Sequence, residues 1–157
     1  MSKTLKLSAS ILICLLVGMI GSLITYPAIP TWYAGLVKPI FSPPGWLFGP
    51  VWTILYILMG VSLFMVWKKG TKDKKVRLAL KFFGIQLFLN GIWSPIFFGL
   101  KNPLFAFIVI ILMWFFIRKT IIAFAEIDKK ASRLLYPYLV WVSFASVLNF
   151  SVWLLNR

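Results

Sequence analysis

Five apolar stretches, each long enough to cross a bilayer and separated by charged or Pro-rich connections, dominate this 157-residue chain. A helix rises about 1.5 Å per residue, so about 20 apolar residues cover roughly 30 Å of hydrocarbon. The stretches run from Leu5 to Tyr26, Trp46 to Trp67, Leu78 to Leu100, Leu104 to Phe124 and Leu134 to Leu155. They predict an all-α integral membrane protein, a bundle of five transmembrane helices forming one domain over residues 1–157. A mean hydropathy of +0.94 agrees, because a water-soluble surface needs many more charges. The first stretch follows Lys3 and Lys6 like a signal peptide, but its apolar run is long and no small-x-small site follows. It is read as a retained span.

Seventeen Lys and Arg against three acids give a net charge of +14, which on a soluble chain would suggest nucleic acid. Here the basic residues lie between apolar runs, so lipid headgroups and topology account for them and no nucleic-acid partner is expected. Fourteen of the seventeen fall on one side of the bundle, leaving Lys38, Lys101 and Arg157 on the other. By the positive-inside rule the N-terminus is cytoplasmic and the C-terminus outside. A multi-pass protein of a prokaryotic plasma membrane is the expected setting.

The chain has no histidine, one cysteine (Cys14, within an apolar run) and three acids, none of them in a span. A His/Cys metal cluster or a Ser-His-Asp triad therefore cannot be assembled within one chain, and no cofactor is required. Coupled ion transport normally uses intramembrane ionisable groups. Lys81 lies one turn inside the third stretch, where its stem can snorkel.

What remains inside is neutral and aromatic. Gln86, Asn90 and Trp93 share one helical stripe; Trp141, Ala145, Leu148 and Asn149 share another; Trp52 and Tyr56 share a third, followed by Met59 and Gly60. Helical rise brings Asn90, Trp93, Asn149 and Trp52 to a common level in the outer half of the bundle, with Trp141 deeper, as a floor. Trp46, Trp67 and Trp153 suit the interfacial aromatic belt, whereas Trp52, Trp93, Trp114 and Trp141 lie mid-span and need partners for their N–H groups. Two readings stand: amides and indoles as interhelical packing, or as the lining of a sparsely polar cavity for a large planar apolar ligand. Gly18 with Ser22, and Gly21 with Thr25, allow close helix approach, and Pro50 and Pro95 predict kinks. Residues 27–45, rich in Pro, Gly and aromatics, read as a lid on the bundle mouth.

The lid and second stretch contain Trp32, Tyr33, Leu36, Lys38, Pro39, Phe41, Pro43, Pro44, Trp46, Phe48, Pro50, Val51, Trp52, Thr53 and Tyr56 in a continuous motif. Together with Asn90-Gly-Ile-Trp93-Ser-Pro95 and Tyr136-Pro137-Tyr138-Leu-Val-Trp141, and Ala145 to Asn149 beyond, this resembles the TspO/MBR family. These are the tryptophan-rich sensory proteins related to the mitochondrial translocator protein or peripheral benzodiazepine receptor. The resemblance covers nearly the whole chain. It implies a five-helix bundle, often a homodimer, whose cavity is closed by the first extramembrane loop. It also implies ligands of the porphyrin and haem type, held by Trp32, Pro43, Pro44, Trp46, Trp52, Asn90, Trp93, Trp141, Ala145, Leu148 and Asn149. Sensing, sequestration or transport of tetrapyrroles is the function implied. Light-dependent breakdown of protoporphyrin through Trp52 and Trp141, or a lipid-binding structural or regulatory role, are its alternatives. The chain departs from the family's sterol-recognition pattern, having Phe150 and Leu154 where Tyr and a basic residue are expected, although a reversed pattern runs from Arg133 through Tyr136 to Leu139. It also lacks a small-xxx-small pair on the third stretch, where Gly84 precedes Phe88 and Gly91 precedes Pro95 at i+4.

Overall fold

The computed structural model describes residues 1–157 and is entirely helical. The long helices are α1 (Lys3–Ala28), α2 (Phe48–Trp67), α3 (Lys74–Ser94), α4 (Pro103–Ala125) and α6 (Tyr136–Leu155), with a short α5 (Lys129–Arg133) before the last. All five expected spans are present and long and apolar enough to cross a membrane. Their outward surfaces stay apolar: Leu23, Val140 and Phe88 are each about two-thirds or more exposed, the condition of side chains solvated by lipid.

Local chemistry sets the helix ends. Ser2, Asp73, Asn102 and Asp128 accept hydrogen bonds from first-turn N–H groups of α1, α3, α4 and α5, satisfying donors that have no intrahelical partner. Pro103 opens α4, where its missing N–H is not needed. Gly70, with φ +96°, follows the end of α2 in the left-handed region that glycine tolerates best.

One of the two expected proline kinks is corrected. Pro50 does not kink α2; it stands in the first turn, where its fixed φ suits helix initiation. At Pro95, where a kink is expected, the third helix changes winding: after Ser94 it widens into a π-helical turn over Pro95–Gly99, and Leu100 N–H donates to the Pro95 carbonyl at 2.9 Å. Pro95 has no N–H for the regular ladder, so the change of winding begins there.

Contacts between elements give the ring order α1, α2, α6, α4, α3, with α2 and α6 the loosest neighbours and α5 tucked under α2 and α4. Ser62 Oγ donates to the Ala131 carbonyl at 2.7 Å and Ser132 Oγ to the Ile121 carbonyl at 2.9 Å, fastening α5 into the basic end. The small residues of α1 do what their spacing predicts. Gly18 faces the Tyr56 ring and Gly21 lies against Ser94, whose hydroxyl is hydrogen-bonded to that of Thr25. On α2, Gly60 sits against the backbone of Ile11, where an added Cβ would lie 2.5 Å from Cα.

The interior divides in two. One apolar cluster occupies the bundle towards the basic end around Met59, Phe83, Met113 and Tyr138. The other lies at the opposite end, where the lid residue Tyr33 packs with Phe97, Phe98, Ala106 and Val152. Between them is a cavity.

Candidate ligand cavity

The lid is built from local constraints before it meets the bundle. Short 3-10 turns at Tyr33–Gly35 and Gly45–Leu47 bracket an extended, proline-rich segment without regular structure. The Lys38 ammonium folds back to donate to the carbonyls of Tyr33 at 2.8 Å and Leu36 at 3.1 Å, and lies 4.8 Å from the Tyr33 ring centroid. A cation here stabilises carbonyls that a helix would otherwise satisfy. Trp32 and Tyr33 then pack edge-on or tilted against Phe97 and Phe98 of the π-helical turn. Burial pushes the Tyr33 phenol above its ordinary value, and the nearby Ser42 hydroxyl pulls the other way without meeting hydrogen-bond geometry.

Beneath the lid lies a cavity of about 420 Å³, within the range of roughly 300–1,000 Å³ usual for small-molecule sites. Its walls come from α1, α2, α3, the π-helical turn, α6 and the lid, and none of its lining residues is charged. Eight of the eleven expected positions line it: Trp46, Trp52, Asn90, Trp93, Trp141, Ala145, Leu148 and Asn149. Trp32, Pro43 and Pro44 do not. Trp32 is turned onto Phe97 and Phe98, so it supports the lid from behind, and the two prolines shape the chain between its turns.

The aromatic walls are organised as pairs. Trp52 stacks on Tyr56 with centroids 5.6 Å apart, and Trp93 stacks on Phe97 at 5.2 Å. Trp141 lies 6.3 Å from Phe48 and 5.5 Å from Phe144. The contact with Phe48, at the lid end of α2, shows that Trp141 is a side wall and not the expected floor. The last span begins with α5 at Lys129, ahead of Leu134, so Trp141 stands further from the basic end than a start at Leu134 implies.

The floor is polar and hydrogen-bonded across three helices, with the buried Gln86 Nε2 at its end left without a partner. Tyr56 donates to Asn90 Oδ1 at 2.6 Å, Asn90 Nδ2 donates to the Tyr138 hydroxyl at 2.7 Å, and Tyr138 donates to Gln86 Oε1 at 2.8 Å. One network thus ties α2, α3 and α6 together in a buried, low-dielectric site. A second amide is also engaged: Trp93 Nε1 donates to Asn149 Oδ1 at 3.0 Å, and Asn149 Nδ2 donates to the Pro103 carbonyl at 2.7 Å. Both amides border the cavity and hold helices at the same time. Trp114, outside the cavity, donates to Ser143 at 2.8 Å. By contrast, the buried Trp141 Nε1 and the Tyr33 hydroxyl have no protein partner, and both residues line the cavity.

The sequence matches the profile of the TspO/MBR family over residues 10–154. The chain belongs to the TspO/MBR family. It is 49% identical over 154 residues to a protein called Tryptophan-rich protein TspO from Chlorobaculum tepidum, with 98% of each chain covered. It is also 42% identical over 123 residues to the Translocator protein of Homo sapiens, covering 78% of this chain and 73% of that one. A third relative, the Tryptophan-rich sensory protein of Cereibacter sphaeroides, is 39% identical over 125 residues, with 80% and 77% covered. Membership is carried by the whole bundle, since the match runs from α1 to the end of α6.

Several lining residues of this family member were not singled out from the sequence. Phe48, Phe97, Phe98 and Phe144 supply much of the aromatic surface, and Val17, Met19 and Tyr26 bring α1 into the wall. The strongly aromatic run from Phe97 was visible as part of the third stretch. Nothing local marks it as lining, because its direction depends on the π-helical turn.

Proposed function

We propose that the cavity binds porphyrin- or haem-type tetrapyrroles, for sensing, sequestration or transport of these ligands. The observation that carries this reading is an uncharged cavity of about 420 Å³ walled by Trp52, Trp93, Trp141, Phe48 and Phe144. Flat aromatic walls favour a flat apolar ligand through offset stacking and burial. The two amides are occupied by Tyr56, Tyr138, Trp93 and the Pro103 carbonyl, so they serve as the scaffold of the pocket. Among the buried donors of the lining, Trp141 Nε1 and the Tyr33 hydroxyl have no protein partner and suit an acceptor on the ligand's edge. Ligand carboxylates would point towards the mouth, because the lining offers no cation.

Protoporphyrin titrated in the dark into the detergent-solubilised chain tests this. Saturable quenching of tryptophan fluorescence is expected, and its absence would sink the reading.

Photochemical breakdown of the bound ligand is a second reading, favoured by one observation: Trp52 and Trp141, both oxidisable indoles, line the same cavity. Illumination of the complex separates it from binding alone. Equal bleaching of the porphyrin by wild-type, Trp52→Phe and Trp141→Phe proteins would remove those residues from the chemistry.

For topology, we infer that the basic end faces the cytoplasm of a prokaryotic plasma membrane and the lid faces outward. Reporter fusions in the α2–α3 and α1–α2 connections test it, and an active cytoplasmic reporter on the lid side would reverse the assignment.

A further inference from the structure

A second concavity, of about 290 Å³, lies on the outside of the bundle at the basic end and shares no residue with the aromatic cavity. Lys75, Leu78 and Phe82 of α3 form one wall; Lys119, Ile122 and Ala123 of α4, with Glu126 just past its end, form the other. The residues recur at three- and four-residue spacings, so each helix presents one continuous stripe to the groove. Leu78 and Ile122 are about half exposed, and that exposure is to the lipid side of two spanning helices.

Charge is distributed unevenly along the groove. At its outer margin Lys75 and Glu126 form the protein's one ion pair, 3.7 Å apart and well exposed. Glu126 is the only acid lining the groove. Lys119 lies six residues before the end of α4, about 9 Å inside it at the helical rise. Its ammonium sits 5.5 Å from the ring centroids of both Phe82 and Phe116 and has no carboxylate partner. An ammonium held against two rings on the lipid side, without a counter-ion, is a strong site for an anion. The surroundings reinforce it, because fourteen of the seventeen basic residues lie at this end of the bundle.

We propose that this groove binds an anionic phospholipid of the leaflet at the basic end. Its phosphate is held between Lys75 and Lys119, and an acyl chain lies along Leu78, Phe82 and Ile122. A water-soluble phosphate satisfies the two lysines but leaves the apolar walls uncovered. A zwitterionic lipid covers the walls but brings its own cation into a basic field. Only an anionic lipid matches both halves of the groove.

Native mass spectrometry of the full chain in mild detergent, with equal amounts of phosphatidylglycerol and phosphatidylcholine, reads the preference directly. The expected result is one retained phosphatidylglycerol per chain, favoured about tenfold over phosphatidylcholine. Lys75→Gln/Lys119→Gln should abolish that preference, while Lys119→Arg keeps it. Lys129→Gln/Lys130→Gln, at the same end but outside the groove, should leave it unchanged. All four lysines are exposed, so these variants test binding without emptying the core. The proposal is overturned if the wild type shows no preference, or if Lys129→Gln/Lys130→Gln lowers retention as much as the groove variant. Displacement of the lipid by millimolar inorganic phosphate would overturn it too, because the site would then be one for a free anion.

Discussion

Asn156 and Val37 are clamped by a reciprocal pair of hydrogen bonds: Val37 N–H donates to Asn156 Oδ1 at 3.0 Å, and Asn156 Nδ2 donates to the Val37 carbonyl at 2.8 Å. A side-chain amide thereby joins the middle of the lid to the last turn of α6, 119 positions away. The same Nδ2 also donates to the Val152 carbonyl at 2.7 Å, which sets its orientation. Asn156→Ala is expected to release the lid without unfolding the bundle. Each exposed hydrogen bond contributes about 1 kcal/mol, so loss of both should accelerate amide exchange at Val37 by about thirtyfold. Exchange in α4, measured in the same experiment, should stay as it is.

The approach of α1 to α2 depends on Gly60. A methyl group there would meet the Ile11 backbone, which cannot rotate away as a side chain can. Gly60→Ala should therefore lower the thermal midpoint in detergent markedly, with a cost of about 1–3 kcal/mol from overpacking. Gly84→Ala is the matched comparison, since nothing lies within 4 Å of the added carbon. That variant should be neutral or slightly stabilising through helix propensity.

Removing the Tyr138 hydroxyl should open the floor network. Tyr138→Phe leaves Asn90 Nδ2 and Gln86 Oε1 without their shared partner in a buried site. Unsatisfied buried groups cost about 1–3 kcal/mol, so a clear fall in thermal stability is expected. Tyr26→Phe, which alters an exposed hydroxyl, should be much milder.

A pH dependence follows from Tyr33. Its phenol is raised above the usual value near 10 by burial, so the folded lid holds this proton more tightly than the unfolded chain. The stability it confers is complete below the unfolded value and is lost as pH rises through the folded one. Lid opening, followed by exchange or by accessibility of the cavity to a quencher, should therefore increase above about pH 10. Tyr33→Phe should flatten that rise while preserving the ring contacts with Phe97 and Phe98.

Much of the cavity was legible as stripes, and the reason is geometric. Trp52 with Tyr56, Asn90 with Trp93, and Trp141 with Ala145, Leu148 and Asn149 each lie one turn apart, so one face of each helix could be read before any packing was known. What could not be read was how those faces pair. The Tyr56–Asn90–Tyr138–Gln86 chain joins three helices, and no spacing within one helix shows that the amides are held by phenols. Trp32 precedes the first turn of the lid, and the direction of its ring is set by Phe97 and Phe98, more than sixty positions later.

The sequence by itself determined the five spans and the side on which the basic residues gather, because hydrophobic length and charge act locally and additively along a chain. It also set the capped helix starts and the uncharged character of the interior. Only the tertiary structure decided the level of Trp141, the side of the lid that Trp32 supports, the pairing of the polar floor across three helices and the lone Lys119 ammonium in an external groove. Each depends on the rotation and height of one helix against another. Those are settled by close contacts such as Gly60 on Ile11, by the π-helical turn after Ser94 and by the space α5 takes at the basic end.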